Sequence, residues 1–128
     1  MAKLTVMTQN LRYDTAGKNA LEIRGPRLLT LIEKYAPDAV GFQEATPQWM
    51  TWLNENLTGY AGVGVGRDNG KNKGEFSPVF YRADRFDLKD SGTFWLSDTP
   101  DRPSGPAWNP ASVPGRCWRI SRAAFSSI

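Results

Sequence analysis

Two short apolar runs, KLTVMTQNL over 3–11 and DAVGFQE over 38–44, flank a segment in which Leu28, Leu31, Ile32 and Tyr35 recur at helical spacing. A strand, a helix and a second strand in this order leave few topologies open. Parallel strands need a crossover, and the usual crossover is a helix packed on the sheet. In the first run Leu4, Val6 and Thr8 alternate against Thr5, Met7 and Gln9, which predicts a strand with Asn10 at its C-terminal end. The helix is expected from about Gly25, with Pro26 in its first turn, Leu28, Leu31, Ile32 and Tyr35 as its buried stripe, and Pro37 ending it. The second run is short, apolar and partly β-branched, the pattern of a strand buried on both faces.

Further along, Thr46 suits a helix N-cap and Pro47 the first helical position, with Trp49, Trp52, Leu53 and Leu57 as the apolar face and Gly59 as the stop. Beyond Gly59 the pattern turns to strands: YAGVGVG, FSPVFYR and FDLKDSGTFWLS, with Asp68, Asn69 and Gly70 marking a hairpin turn. Residues 98–115 hold much of the proline and read as an irregular loop. With 128 residues, 40% hydrophobic and 23% charged, the chain fits one soluble domain or part of one. No apolar run is long enough to span a bilayer and MAKLTVMTQNLRYD has no signal-peptide pattern, so the expected location is the cytoplasm.

Composition also limits the chemistry. The sequence contains no histidine and one cysteine, Cys117. A Ser-His-Asp triad, a Cys-His pair and a histidine-ligated zinc are therefore excluded for this chain alone. Chemistry here has to rest on carboxylates, amides and a hard metal. The net charge of +3 permits a phosphate-bearing substrate without demanding a nucleic-acid footprint.

Asn10 and Glu44 are the candidate pair, because each falls at the C-terminal end of an expected strand, where open α/β sheets place their sites. An amide oxygen and a carboxylate are hard ligands suited to Mg2+ or Mn2+. The alternative is that Asn10 ends its strand in a turn and Glu44 merely starts a helix, where the dipole favours a carboxylate. Arg67, Lys71 and Lys73 are candidates for substrate-phosphate contact or for a solvated hairpin tip. Glu75 is either a second acid at the site or an edge charge that deters sheet pairing. Trp95 and Trp108 either stack on a base or pack beneath the proline-rich loop. The glycines of GVGVGRDNGKNKGE match no phosphate-loop spacing and read as strand and turn.

Taken together, KLTVMTQNLRYD, PDAVGFQEATPQWMTWL and YAGVGVGRDNGKNKGEFSPVFYRADRFDLKDSGTFWLSDTPD resemble the N-terminal half of the endonuclease/exonuclease/phosphatase family, related to the DNase I and exonuclease III folds. The resemblance covers roughly residues 3 to 110, and QNLR and FQE are its most specific pieces. It implies an α/β fold, part of a four-layer α/β sandwich of mixed sheets flanked by helices. It also implies Mg2+ (or Mn2+) held by Asn10 and Glu44, and hydrolysis of a phosphodiester or phosphomonoester by a Mg-activated water, with nucleic acid among the candidate substrates. The family continues into NTH-like, GDFN-like and SDH-like motifs that this sequence lacks. The expectation is a single incomplete domain over 1–128, ended by truncation or a frame change, with weak or absent activity of its own. The rival expectation is a catalytically incompetent fragment that binds a metal or a partner.

Overall fold

The computed structural model describes residues 3–12, 16–103 and 119–128. Strand β1 (Val6–Asn10) leads through a single 3-10 turn (Gly17–Asn19) into helix α1 (Leu21–Tyr35), then β2 (Ala39–Gln43), α2 (Pro47–Asn56), β3 (Tyr60–Val63), β4 (Val79–Arg82), β5 (Phe86–Trp95) and β6 (Arg119–Ser127). The expected crossover is present: β1 and β2 pair in parallel, with Val6 opposite Ala39 and Asn10 opposite Gln43. β4 then pairs antiparallel with β2 and β3, giving a mixed sheet in the order β1-β2-β4-β3. β5 and β6 form a separate antiparallel ribbon.

One face of the mixed sheet carries the core. Val40, Phe42 and Phe80 project from it against Leu28 and Ile32 of α1 and against Trp49, Leu53 and Leu57 at α2, all buried. Phe42 and Phe80 meet edge to face with centroids 5.6 Å apart. On the opposite face Tyr81 of β4 lies 4.8 Å from Phe125 of β6, which joins the ribbon to the sheet. Helices, mixed sheet and ribbon therefore stack as three layers, an α/β arrangement. Among the described residues no helix is long and apolar enough to cross a membrane.

Several boundaries differ from expectation, each for a physical reason. α1 starts at Leu21, not Gly25, so Pro26 sits inside the helix. Gly25 is there for packing: a Cβ would lie 2.7 Å from the Trp52 ring of α2, so the two helices approach only because the side chain is absent. Tyr35 is 53% exposed and drops out of the buried stripe, which runs through Gly25, Leu28 and Ile32 instead. β2 is fully buried on the Val40 and Phe42 face but only half-buried on the face of Ala39, Gly41 and Gln43. β6 had no clear sequence signal, since its apolar alternation is weak. It forms because β5 offers a long pairing edge, with Phe125 packed near Phe86 and Arg122 ion-paired to Asp90.

Asp38 also escaped notice in the sequence. It is 2% exposed and accepts hydrogen bonds from the Thr5 backbone N–H at 2.8 Å and from Arg85 Nη1. Its own N–H donates to the Thr5 carbonyl at 2.7 Å. One carboxylate thus ties the entry of β1, the entry of β2 and the β4–β5 turn together, at the end of the sheet opposite Asn10.

Candidate active site at the ends of two strands

The parallel register brings the ends of β1 and β2 side by side, so Asn10 lies opposite Gln43 and Glu44 follows at once. Both carboxamides here are held. Asn10 Oδ1 accepts from the Arg12 backbone N–H at 2.7 Å, and Gln43 Nε2 donates to Thr8 Oγ1 at 3.0 Å across the strand pair. Leu11 N–H continues the ladder to the Gln43 carbonyl at 2.9 Å. The edge is thereby built from backbone pairing, not from a floppy loop.

Glu44, like Arg12 and Ala36 among the described non-glycine residues, has a positive φ. Its φ is 57°, the left-handed region that L side chains avoid. A glutamate there costs on the order of 1–2 kcal/mol relative to an ordinary conformation. The conformation turns the chain sharply out of β2, so that Ala45 can bridge Phe76 through paired hydrogen bonds of 3.1 and 2.7 Å. Thr46 then caps α2, its hydroxyl accepting from the Trp49 N–H at 3.3 Å, with Pro47 at the first helical position as the sequence led one to expect. Glu44 is half-buried between these two fixed points.

The bridge also brings the 67–75 loop alongside. Arg67 N–H donates to the Glu75 carbonyl at 3.0 Å, and its guanidinium lies 3.3 Å from Glu75 Oε2 and 3.4 Å from Asp68 Oδ1. Arg67 and Glu75, with Thr46 and Gln48, line a groove of about 280 Å³ beside the start of α2. Arg67 is thus engaged by two carboxylates, while Lys71 and Lys73 stand exposed at the loop tip. That tip is organised by Asn69, whose Oδ1 accepts from the backbone N–H groups of Lys71, Asn72 and Lys73 at 2.9 to 3.0 Å. Trp95 is 4% exposed and its ring lies against Gly70, so it is a packing residue. Trp108 and residues 104–115 of the proline-rich loop lie outside the described residues.

The donors present suit a hard divalent ion in kind. An amide oxygen and a carboxylate sit on adjacent strand ends, and Mg2+ often takes only one or two carboxylates from the protein and keeps waters for the rest. Among the described residues no group of three or more acidic, histidine or cysteine side chains forms a fuller cage.

Solved structures resemble the fold over nearly the whole chain. An endonuclease/exonuclease/phosphatase family protein from Bacteroides thetaiotaomicron is 37% identical over 97% of this chain and 44% of its own, with a TM-score of 0.84. The chain belongs to the endonuclease/exonuclease/phosphatase family. The mannosyl-6-phosphatase Bt3783 of Bacteroides thetaiotaomicron VPI-5482 is 36% identical over 98% of this chain and 46% of its own, at a TM-score of 0.85. A D. rerio TDP2 complexed with single-strand DNA product superposes at a TM-score of 0.66 over 96% of this chain and 41% of its own. At 20% identity that last likeness shows a shared fold alone. This endonuclease/exonuclease/phosphatase family chain therefore spans a little under half the length of the structures it matches. No family model matches it, and a search of curated proteins gives no match.

Proposed function

We propose that this chain supplies one wall of a phosphoester hydrolase site, in which Asn10 and Glu44 hold Mg2+ or Mn2+ and the substrate is a phosphodiester or phosphomonoester. The observation that carries the reading is Glu44 itself, a glutamate kept in a left-handed conformation at a strand end beside Asn10. Strain of that kind concentrates at functional positions. A divalent ion bound there would act as a Lewis acid toward a phosphoryl oxygen. Glu44 contributes the negative charge that retains such an ion, and Asn10 presents an amide oxygen oriented by the Arg12 N–H. Arg67, in the adjoining groove, is the candidate for contact with a substrate phosphate, and reaching it would mean exchanging its bond to Glu75. Nucleic acid remains one candidate substrate. The domain organisation follows from the same reading: residues 1–128 act as one part of a single domain.

A second reading rests on the sequence, which has no histidine and no acid after Asp101. In it the chain holds a metal or a partner without turning over substrate, because it has no histidine to serve as general acid and the nearby Glu75 is engaged with Arg67. Two measurements separate the readings. Paramagnetic broadening of backbone amides by Mn2+ should centre on Asn10 and Glu44 and vanish in Glu44→Ala; broadening that is absent, or survives the substitution, sinks the metal assignment. Turnover of a generic phosphodiester with Mg2+ or Mn2+ that Glu44→Ala abolishes would favour the hydrolase. Metal binding without turnover at any metal concentration favours the second reading.

A further inference from the structure

A second cavity, of about 260 Å³, opens between α1, the turn Gly17–Asn19 and the start of α2. Lys18, Arg24 and Arg27 line it together with Asn19, Gln9 and Trp49, and no acidic side chain among the described residues does. Gln9 projects from the face of β1 opposite to Asn10, as alternate strand residues must, so this cavity lies on the helix side of the sheet and apart from the strand-end pair. Arg24 is fixed in place: its guanidinium donates to the Leu11 carbonyl and lies 5.8 Å from the centre of the Trp49 ring. Lys18 and Arg27 form no ion pair among the described residues.

Trp49, which lines the same cavity, carries a buried donor without a partner among the described residues, as does Trp95 elsewhere. Trp49 is 1% exposed, and its indole N–H has no hydrogen-bond acceptor among the described residues. A buried donor left unpaired is costly, and native proteins rarely tolerate one without a reason. Three cations lining one concave site, with no carboxylate on its wall among the described residues, also repel one another, and solvent screens only the exposed Lys18 and Arg27. A single acceptor-rich anion relieves that repulsion.

We infer that this cavity is an oxyanion site of the phosphate class, separate from the Asn10 and Glu44 pair. Arg24 and Arg27 present planar donor forks suited to neighbouring oxygens of a tetrahedral anion, and Lys18 adds a mobile point charge at the rim. The Asn19 amide supplies a neutral donor, and the Trp49 ring on the cavity wall reports its occupancy. The volume exceeds that of one phosphate group, so either inorganic phosphate or the phosphate of a small monoester fits.

The test follows the assigned Trp49 indole resonance in 15N–1H spectra of the chain during titration with inorganic phosphate and, separately, with phenyl phosphate. A saturable displacement by either supports the site, and the tighter of the two identifies the source. The double substitution Lys18→Gln/Arg27→Gln removes two exposed charges and should weaken binding at least tenfold with the amide spectrum preserved. Glu44→Ala should leave the titration unchanged, which separates this site from the proposed metal site. An unmoved indole, or an equal displacement by sodium chloride or acetate at matched ionic strength, overturns the assignment whether or not the double variant folds.

Discussion

Glu44 carries opposing demands in one residue: its backbone favours glycine, and its proposed work needs a carboxylate. Glu44→Ala and Glu44→Gly both remove the side chain, so they differ only in how well the new residue tolerates a φ of 57°. Urea denaturation should find the glycine variant more stable than the alanine variant by about 1 kcal/mol, since only the alanine keeps the left-handed penalty. Equal midpoints would mean the turn relaxes when the carboxylate is gone. The sequence could place Glu44 at a strand end, because the apolar run before it and the Thr-Pro start after it bracket the position. It could not reveal the conformation, which is imposed by Ala45 bridging Phe76, a partner far along the chain. Arg67 shows the same limit: its charge is visible in sequence, but its engagement with Glu75 depends on how the loop folds back.

At the level of elements, α2 was legible because its signals are local, with a Thr-Pro start and a repeating apolar face. Thr46→Ala removes the acceptor for the Trp49 N–H and should cost about 1 kcal/mol in thermal or chemical unfolding. α1 was misplaced by four residues because its start, at Ala20, has no capping side chain, whereas Pro26 advertised a start that is not used. The reason Gly25 is tolerated inside α1 lies in a different helix. Gly25→Ala gains helix propensity of about 1 kcal/mol but drives a methyl into Trp52, an overpacking cost of about 1–3 kcal/mol. The net effect should be destabilising, and combining it with Trp52→Leu should cost less than the two single changes added. Strict additivity would show that the two helices do not meet as described. β6 was unreadable for a related reason, since a strand held by its partner's edge needs little pattern of its own.

At the scale of the whole molecule, the sheet has two ends with different work. Asn10 and Glu44 mark one; at the other, Asp38 holds Thr5 and Arg85, and Tyr60 donates its hydroxyl to the Pro37 carbonyl at 2.6 Å. The five residues of β1 separate the ends by about 13 Å at the usual rise per residue. Asp38→Ala leaves the Thr5 N–H and the Arg85 guanidinium without their acceptor; because Arg85 is partly exposed, the loss should be about 2 kcal/mol and not the larger cost of a fully buried pair.

Tyr60 adds a pH signature at the same end. Burial raises its phenol above the ordinary 10.0, while Arg82 opposes the shift and Asp38 and Asp84 add to it. A raised acid favours the protonated form in the folded state, so this contribution is intact below the unfolded value and is lost as the pH climbs through the folded one. Stability should therefore fall above pH 10, and Tyr60→Phe should flatten that alkaline limb. Neither Asp38→Ala nor Tyr60→Phe touches the strand ends that carry the proposed metal pair. Mn2+ broadening at Asn10 and Glu44 should therefore survive in both variants under conditions where they remain folded, while Glu44→Ala abolishes it and leaves the alkaline limb in place. Coupled losses at the two ends would mean that the strand register, and not local chemistry, governs both.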